Sequence, residues 1–336
     1  MDQLSDYDYL LPESAIAQTP LADRAGSRLL VLDRGDNLVT HRKFVEVTEL
    51  LTEGDVLVVN DTRVTALKLK GQRGTGGKVE FLLLRETMPG VFDAMAKPIR
   101  KLVPGDLVTF ERGLVGEIMG RVDLTTVGLR FITDGWRETL GEIGETPLPP
   151  YINEMIQDPQ RYQTVYADEG GSAAAPTAGL HFTPDILSRL EAIGVQVAKV
   201  TLHVGLDTFR PVQAENLSEH VMHGETCRIS EGAAALINGA KGRVVAVGTT
   251  AVRTVESLAI DHGRVSAGAM DTRLFITPGF EFKVVDAMFT NFHLPKTTML
   301  MMISAFATHE LVFRAYREAL TEGYRFLSFG DSMLIL

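Results

Sequence analysis

Four short segments in the second half of the chain combine glycine, threonine and histidine or arginine in a way that could do chemistry. They are residues 176–183, 200–205, 248–253 and 291–296, and each adjoins an apolar run that is typical of a buried strand or core segment. Sheets of α/β proteins bind ligands where strands end and loops carry polar tips. Four such segments predict one shared pocket, whereas a single one would indicate only a turn.

Histidines are the residues of these segments best suited to proton transfer, because imidazole titrates near neutral pH. A single histidine beside apolar residues is usually a hydrogen-bonded core residue, but His181, His203 and His293 occupy similar positions. His220 and His223 follow at an i, i+3 spacing with flanking carboxylates. That spacing could hold a metal on a helix, yet the zinc-protease pattern is absent. We therefore expect no metal site and favour a polar network there.

An anion site is predicted where residues 248–253 open a helix after an apolar run. Backbone N–H groups at a helix start attract anions, and Thr249 and Thr250 add hydroxyl donors. Arg253 lies one turn further and could contact the same phosphate or carboxylate. The segment contains neither a Walker loop nor Gly-x-Gly-x-x-Gly. An ordinary capped helix is the alternative.

Composition narrows the class of protein. The chain has 336 residues, of which 45% are hydrophobic, and one cysteine, Cys227. We expect two domains and neither a disulfide framework nor a cysteine-based zinc site. No secretory signal is recognisable, and the most apolar stretch is too short to cross a bilayer, so a cytoplasmic protein without a membrane partner is expected.

Charge gives two opposing signals about nucleic acid. A net charge of −10 argues weakly against it as a partner. Residues 61–101, however, carry nine basic and four acidic side chains. Such a segment could be the footprint of a polyanion, or simply the solvated surface of a β-domain.

The order of the elements predicts an α/β fold, with a mostly parallel sheet flanked by helices and an inserted antiparallel β-barrel domain. Residues 64–146 contain short β-branched runs separated by turn signals, which favour a barrel. Residues 1–63 and 147–336 would form the discontinuous α/β domain. Within it we expect a loop at 153–175, a helix from Pro184 to Ile193, and a last strand at 324–329.

Several longer motifs carry a resemblance to a known family. The most specific are Pro-Thr-Ala-Gly-Leu-His-Phe at 176–182 and Asn-Phe-His-Leu-Pro at 291–295, joined by Val-Asn-Asp-Thr-Arg-Val at 59–64. With these the chain resembles, nearly end to end, the S-adenosylmethionine:tRNA ribosyltransferase-isomerases of queuosine synthesis. The family often has Ile-Pro-Ala-Arg where 65–68 read Thr-Ala-Leu-Lys, and glycine in place of Asp207, which is therefore given no catalytic role.

The resemblance implies the reaction. S-adenosylmethionine, a consumed co-substrate and not a cofactor, would give its ribosyl part to 7-aminomethyl-7-deazaguanine at the tRNA wobble position. Epoxyqueuosine would form, and adenine and methionine would leave. The expected partners are therefore tRNA and S-adenosylmethionine, and we expect a monomer.

This chemistry suggests roles for the residues in the matching segments. The sulfonium acidifies the ribose C5′ protons, and adenine leaves more easily when it is protonated. Proton carriers are needed for both steps, and the candidates are His181, His203, His220, His223 and His293. Candidate substrate-binding residues are Asp61, Arg63, Thr177, Gly179, Thr249, Thr250, Arg253, Asn291 and Asp331. For phosphate contact, Lys68 and Lys70 of the insert join Arg63.

Two other functions remain open from the sequence. An ordinary methyltransferase could use the same donor, although the Gly-x-Gly loop after the first strand is missing. It would release S-adenosylhomocysteine. A non-enzymatic RNA-binding module would bind tRNA without consuming the donor.

Overall fold

A computed structural model describes residues 2–205, 212 and 214–336, so Asp207 lies outside the described residues. The chain divides into two compact units. One, called here the α/β unit, comprises the residues up to Arg63, Pro149–Glu169 and Ala175–Leu336. The other, the barrel unit, comprises Val64–Leu148 and Gly170–Ala174.

The regular elements of the described ranges are numbered in chain order. The strands are β1 (Arg28–Asp33), β2 (Leu38–Lys43), β3 (Val56–Asn60), β4 (Thr62–Val64), β5 (Leu67–Arg73), β6 (Lys78–Met88), β7 (Val91–Lys97), β8 (Leu107–Phe110), β9 (Val115–Arg121), β10 (Thr126–Phe131), β11 (Glu169–Ser172), β12 (Gln196–Leu202), β13 (Glu225–Ile229), β14 (Val244–Val247), β15 (Ala259–Asp261), β16 (Arg264–Val265), β17 (Gly268–Thr272), β18 (Ala287–Asn291) and β19 (Ser332–Ile335). The α-helices are α1 (Trp136–Ile143), α2 (Pro184–Ala192), α3 (Glu231–Asn238), α4 (Thr249–Ser257), α5 (Thr298–Ala307) and α6 (His309–Thr321). Short 3₁₀ helices span Leu4–Tyr7, Glu13–Ala15, Arg24–Gly26, Phe44–Glu49, Ile99–Lys101, Glu111–Gly113, Pro159–Tyr162, Thr177–His181 and Leu217–Glu219.

A nine-stranded sheet forms the centre of the α/β unit, in the order β17-β13-β12-β3-β14-β18-β19-β1-β2. Its four central strands, β12, β3, β14 and β18, run parallel. The strands β13, β19 and β1 run the opposite way. The predicted α/β fold is confirmed, with a parallel centre and mixed edges.

Burial on both faces explains why the central strands are almost continuously apolar. Every residue of β3, β14 and β18 is buried, as expected for parallel strands covered by helices. One face packs against residues such as Val252 of α4 and Met301 of α5. The other packs against Phe182 and against Ile186 of α2.

Strand direction brings the four predicted segments to one edge of the sheet. The carboxyl ends of β3, β12, β14 and β18 lie there, and so do the amino ends of β1, β13 and β19, which run oppositely. Asn291 at the end of β18 pairs with Ser332 at the start of β19. We call this edge the active edge, because the polar residues that end the parallel strands collect at it.

Local signals placed α2 correctly but missed the last strand. The Thr183 side chain accepts the Ile186 N–H at 3.2 Å, and the helix closes before Gly194, whose φ is +89°. The strand expected at 324–329 is wrong: Leu327 has a φ of +69°, and the terminal strand is β19. Residues 153–175, expected as a loop, include a 3₁₀ helix and β11.

The barrel unit is a closed barrel of six strands in the order β10-β7-β6-β5-β8-β9, and all six pairings are antiparallel. Its interior contains Phe81, Phe110 and Leu129. Gly71 of β5 has no room for a side chain, since a Cβ there would lie 2.5 Å from Val108 Cγ1. The predicted antiparallel barrel is confirmed. Within the described ranges, no helix is long and apolar enough to span a membrane.

Candidate active site

A cleft opens at the active edge of the α/β unit, with about 610 Å³ of atom-free space. Three of the four predicted segments contribute long stretches of its wall. It is lined by Tyr151, Ala175, Pro176, Thr177, Ala178, Val204, Gly248, Thr249, Thr250, Thr290, Asn291, Phe292, His293, Leu294, Met299, Leu327 and Ser328.

Asn60, the last residue of β3, ties together the loops beneath this cleft. Its Nδ2 donates to Leu202 O at 3.0 Å and to Thr250 Oγ1 at 3.1 Å. Its Oδ1 accepts the backbone N–H groups of Thr62 and Leu202 at 3.1 and 3.0 Å. All four hydrogen bonds of the buried amide therefore hold the ends of β3 and β12 and the start of α4 in place.

His293 lines the cleft as a fixed, neutral imidazole. Its Nε2 lies 2.7 Å from Thr290 Oγ1, and its backbone N–H donates to Tyr316 Oη at 2.9 Å. Its carbonyl accepts a hydrogen bond from Tyr9 Oη. Burial lowers the pKa of His293 to about 3. The ring can hold a polar ligand atom, but it is uncharged at neutral pH.

Thr177 and Asn291 form a second polar pair in the wall. Thr177 Oγ1 donates to Asn291 Oδ1 at 2.9 Å, and Asn291 Nδ2 donates to Leu327 O at 3.3 Å. The neighbouring Gly179 is required by packing, because a Cβ there would lie 1.9 Å from Tyr166 Oη. Gly179 thus shapes the loop that carries Thr177.

His181 lies in a second, smaller pocket, beside the main cleft. Its Nδ1 is 2.8 Å from Ser27 Oγ. Burial, reinforced by the positive charges of Arg24 and Arg325, lowers its pKa to about 4. The second pocket is lined by Pro20, Leu21, Arg24, Ser27, Arg161, Leu180, His181, Ser328, Phe329 and Gly330. Ser328 borders both cavities.

His203 and Asp61 lie next to each other at the ends of β12 and β3. His203 Nδ1 is 2.8 Å from Thr62 Oγ1, and Thr201 Oγ1 donates to Asp61 Oδ1 at 2.7 Å. Burial lowers the pKa of His203, while Glu169 and Asp61 act to raise it. Burial raises the pKa of Asp61. Neither residue lines the cleft, although Val204 does.

Arg253 is engaged in a buried ion pair with Glu225, at the start of β13. Arg253 Nη2 also donates to Thr272 O at 3.4 Å, and Glu225 Oε1 accepts the Gly205 N–H at 3.2 Å. A third pocket surrounds the pair and shares Thr249, Thr250 and Met299 with the main cleft. Its lining is Met222, Glu225, Thr249, Thr250, Arg253, Leu274, Phe275, Ile276, Thr298, Met299 and Met302.

The two histidines before β13 lie near this pair. His223 Nε2 is 3.6 Å from Glu225 Oε1. The His220 ring packs edge-on against Phe275 at 5.0 Å between centroids, and burial, followed by His223, lowers its pKa. Across the part of the chain that the structure describes, no three His, Cys, Asp or Glu side chains are grouped as metal ligands.

Two predicted substrate-binding residues make internal contacts away from the cleft lining. Asp331 accepts the backbone N–H groups of Arg28 and Arg325, both at 2.8 Å, and burial raises its pKa. It therefore secures the start of β1. Arg63 donates to Ala167 O at 3.3 Å and to Gln160 Oε1 at 3.4 Å.

Comparison with known proteins points to the same family as the motifs do. Residues 4–335 match the family model described as queuosine biosynthesis protein. The chain belongs to the queuosine biosynthesis protein family. It is 51% identical to the S-adenosylmethionine:tRNA ribosyltransferase-isomerase of Symbiobacterium thermophilum, with 99% of this chain and 100% of the relative covered. The relative of the same name in Desulfitobacterium hafniense is 49% identical with the same coverage.

A solved member of this family shares the fold. The crystal structure of S-adenosylmethionine tRNA ribosyltransferase from Thermotoga maritima is 34% identical, with a TM-score of 0.56. The match covers 98% of this chain and 100% of that one. The resemblance drawn from the motifs is thus confirmed.

Sequence reasoning overlooked several residues that build this family site. Asn60 and Ser27 were given no role, and Glu225 was considered only as a carboxylate flanking His220 and His223. Each of the three contacts a predicted residue: Thr250, His181 or Arg253. For Asn60 the sequence did contain a signal: it ends a wholly apolar run, and a buried amide at that position must be hydrogen-bonded. No comparable local signal marked Ser27, which lies 154 residues from His181.

Proposed function

We propose that this protein transfers and isomerises the ribosyl part of S-adenosylmethionine onto 7-aminomethyl-7-deazaguanine at the tRNA wobble position. The product is epoxyqueuosine, and adenine and methionine leave. The observation that carries the proposal is the convergence of Thr177, Thr249, Thr250, Asn291 and His293 on one cleft, in a chain about half identical to the named relatives. The enzyme acts as a monomer on tRNA.

The third pocket suits the methionine part of the donor. An amino acid zwitterion needs a cation for its carboxylate and an anion for its ammonium, and Arg253 and Glu225 supply one of each. Met222, Met302 and Phe275 provide apolar surface for the side chain. The ribose and adenine then lie in the main cleft, which adjoins through Thr249 and Thr250.

The histidines divide into two kinds of role in this scheme. Removing a C5′ proton requires a base, and a ring with a pKa of about 3, as in His293, is a weak one. His293 therefore positions a ligand atom by hydrogen bonding. Burial lowers the pKa of His203 as well, but Glu169 and Asp61 oppose that shift. We therefore assign the proton transfer to His203, which is next in the chain to the cleft-lining Val204. The Asp61 carboxyl can accept the proton onward or hold a ribose hydroxyl.

One incubation tests the function. The enzyme is mixed with tRNA carrying 7-aminomethyl-7-deazaguanine and ribose-labelled S-adenosylmethionine, followed by nucleoside mass analysis. Label in the nucleoside with free adenine and methionine supports the proposal. Release of S-adenosylhomocysteine would instead indicate a methyltransferase, and unchanged donor a binding module.

The role of His203 has its own test. We expect His203→Gln to lower kcat at least a hundredfold with little change in KM, within the usual range for a lost general base. His262→Gln is the matched control, because His262 is exposed and its Nε2 lies 3.5 Å from Glu281 Oε1, away from the cleft lining. Full turnover by His203→Gln would remove His203 from the scheme.

A further inference from the structure

The second pocket of the α/β unit combines positive charge with unused hydrogen-bond donors. It has about 310 Å³ of atom-free space, and Arg24, Arg161 and His181 contribute to its wall. None of the three is needed to complete the main cleft, whose lining does not include them. The pocket therefore requires a separate explanation.

His181 supplies the most telling donor. The side chain is 95% buried, because its relative exposure is 5%, and its Nε2 has no hydrogen-bond partner within the described structure. Ser27 Oγ lies 2.8 Å from Nδ1 and 3.4 Å from Arg24 O. The Ser27 hydroxyl can donate to Nδ1, and in that arrangement the neutral ring carries its own hydrogen on Nε2. A buried donor of this kind costs free energy unless a ligand pairs with it.

Both arginines are anchored by hydrogen bonds to backbone carbonyls, and each has more N–H donors than those bonds use. Arg24 donates one bond each to Leu180 O and Gln160 O, at 3.1 and 2.9 Å. Arg161 donates to Ala22 O at 3.1 Å and Leu21 O at 2.5 Å, and its buried Nε is without a partner among the described residues. A guanidinium has five N–H donors, so each group can still bind an anion.

The charge balance favours an anion without an accompanying cation. No carboxylate lines the pocket among the described residues. Burial and then the charge of Arg161 lower the pKa of Arg24, and only Asp158 opposes them. A methionine zwitterion bound here would leave its ammonium group without a carboxylate partner. A phosphodiester carries only negative charge and has no such group to pair.

We propose that this pocket binds a phosphodiester group of the RNA substrate through Arg24, Arg161 and His181 Nε2. The inference rests on the proposed function, since it assigns part of the same substrate. Ser328 borders both cavities, so a nucleotide in the main cleft and its backbone in the second pocket would be neighbours. Phosphate contacts of this kind fix register and orientation.

Two variants separate phosphate binding from structural support. His181→Phe keeps a buried ring but removes the donor, and His181→Gln restores a donor near the Nε2 position. We expect His181→Phe to raise KM for tRNA roughly tenfold, with KM for S-adenosylmethionine unchanged, and His181→Gln to recover most of the loss. A rise confined to the donor KM, or a fall in kcat alone, would overturn the assignment.

The salt dependence of tRNA affinity gives an independent reading. One lost phosphate contact to single-stranded RNA lowers the slope of log affinity against log salt by about 0.7, and we expect this for Arg161→Gln. Arg317→Gln, at an exposed position of α6, is the control and should keep the slope. An unchanged slope in Arg161→Gln would refute the phosphate contact. Wild-type adenine release in the same preparation tests the proposed function separately.

Discussion

The two units of this chain use charged residues in opposite ways. The α/β unit buries them: Arg253, Glu225 and Asp331 are each no more than 5% exposed. The barrel unit keeps most of its ion pairs nearer the surface, as in Lys68 with Glu80 at 3.0 Å and Lys70 with Glu145 at 3.1 Å. Its Arg73–Asp106 pair is partly buried.

The difference teaches where chemistry should be sought. A buried charge must be paired and hydrogen-bonded, so its position is tightly specified, whereas an exposed pair contributes little and tolerates change. The basic run at 61–101 is also balanced within its unit, because residues 64–148 contain twelve basic and eleven acidic side chains. Charge counted over a short window therefore overstated the electropositive character of the insert.

Breaking the Glu225–Arg253 pair should have the largest effect on stability. Glu225→Ala leaves a buried guanidinium without its carboxylate, and we expect the free energy of unfolding to fall by about 3–5 kcal/mol. The barrel-unit control is Glu80→Ala, whose partner Lys68 is solvated, with an expected loss below about 1 kcal/mol. Urea unfolding measures both. Equal losses would contradict the contrast between the units.

Gly179→Ala tests whether packing shapes the active edge. The added Cβ would meet Tyr166 Oη at 1.9 Å, so we expect a loss of about 1–3 kcal/mol together with a lower kcat/KM. The second substitution Tyr166→Phe should restore part of both. Gly74→Ala in the barrel unit, where nothing lies within 4 Å of an added Cβ, should change neither. A fully active Gly179→Ala would show that the loop adapts.

The sequence predicted this architecture well where local patterns decide it. Apolar runs marked the central strands, and the Thr183–Pro184 pair marked the start of α2. Because parallel strands end at one edge, the polar tips of 176–183, 248–253 and 291–296 could be placed together before any coordinates.

The surroundings of the candidate site residues could not be predicted, because they depend on contacts between residues far apart in sequence. The five candidate histidines look alike in sequence, yet burial and neighbours separate them: His293 faces the main cleft, His181 faces a different pocket, and His203 contacts Thr62. Asp331 was predicted as a ribose ligand; in the structure its carboxylate accepts the backbone N–H of Arg28, 303 residues away, as well as that of the nearby Arg325. Such partners depend on how β1 and β19 pair, which no local motif records.

Acid should weaken the α/β unit and spare the barrel. The pKa values of His181 and His293 are lowered to about 4 and about 3, so between pH 6.5 and 4 the unfolded chain binds more protons than the folded one. Stability contributed by the neutral rings is complete above pH 6.5 and falls by about 1.4 kcal/mol per pH unit for each histidine below it. All eight histidines lie outside residues 64–148.

Hydrogen exchange resolved by segment, at pH 6.5 and 5, measures this directly. Protection should decline in β14 and β18 and persist in β5 and β6. His181→Phe should reduce the pH dependence, and the difference from wild type removes the contributions of carboxylates such as Asp61. A uniform decline in both units would show that other groups control acid unfolding.

Lys70→Ala has the smallest expected effect, and it tests whether an exposed ion pair of the barrel unit matters for stability or tRNA binding. Both Glu145 oxygens lie near the ammonium, at 3.1 and 3.2 Å, but the two side chains are at least half exposed. We therefore expect a loss of stability below about 1 kcal/mol and a change in KM for tRNA below about twofold. Lys101→Ala is the comparison, since Lys101 is exposed on a 3₁₀ helix of the same unit. A tenfold weaker tRNA affinity in Lys70→Ala, but not in Lys101→Ala, would contradict this. It would mean that Lys70 leaves Glu145 to contact RNA, and that the basic run at 61–101 binds the polyanion.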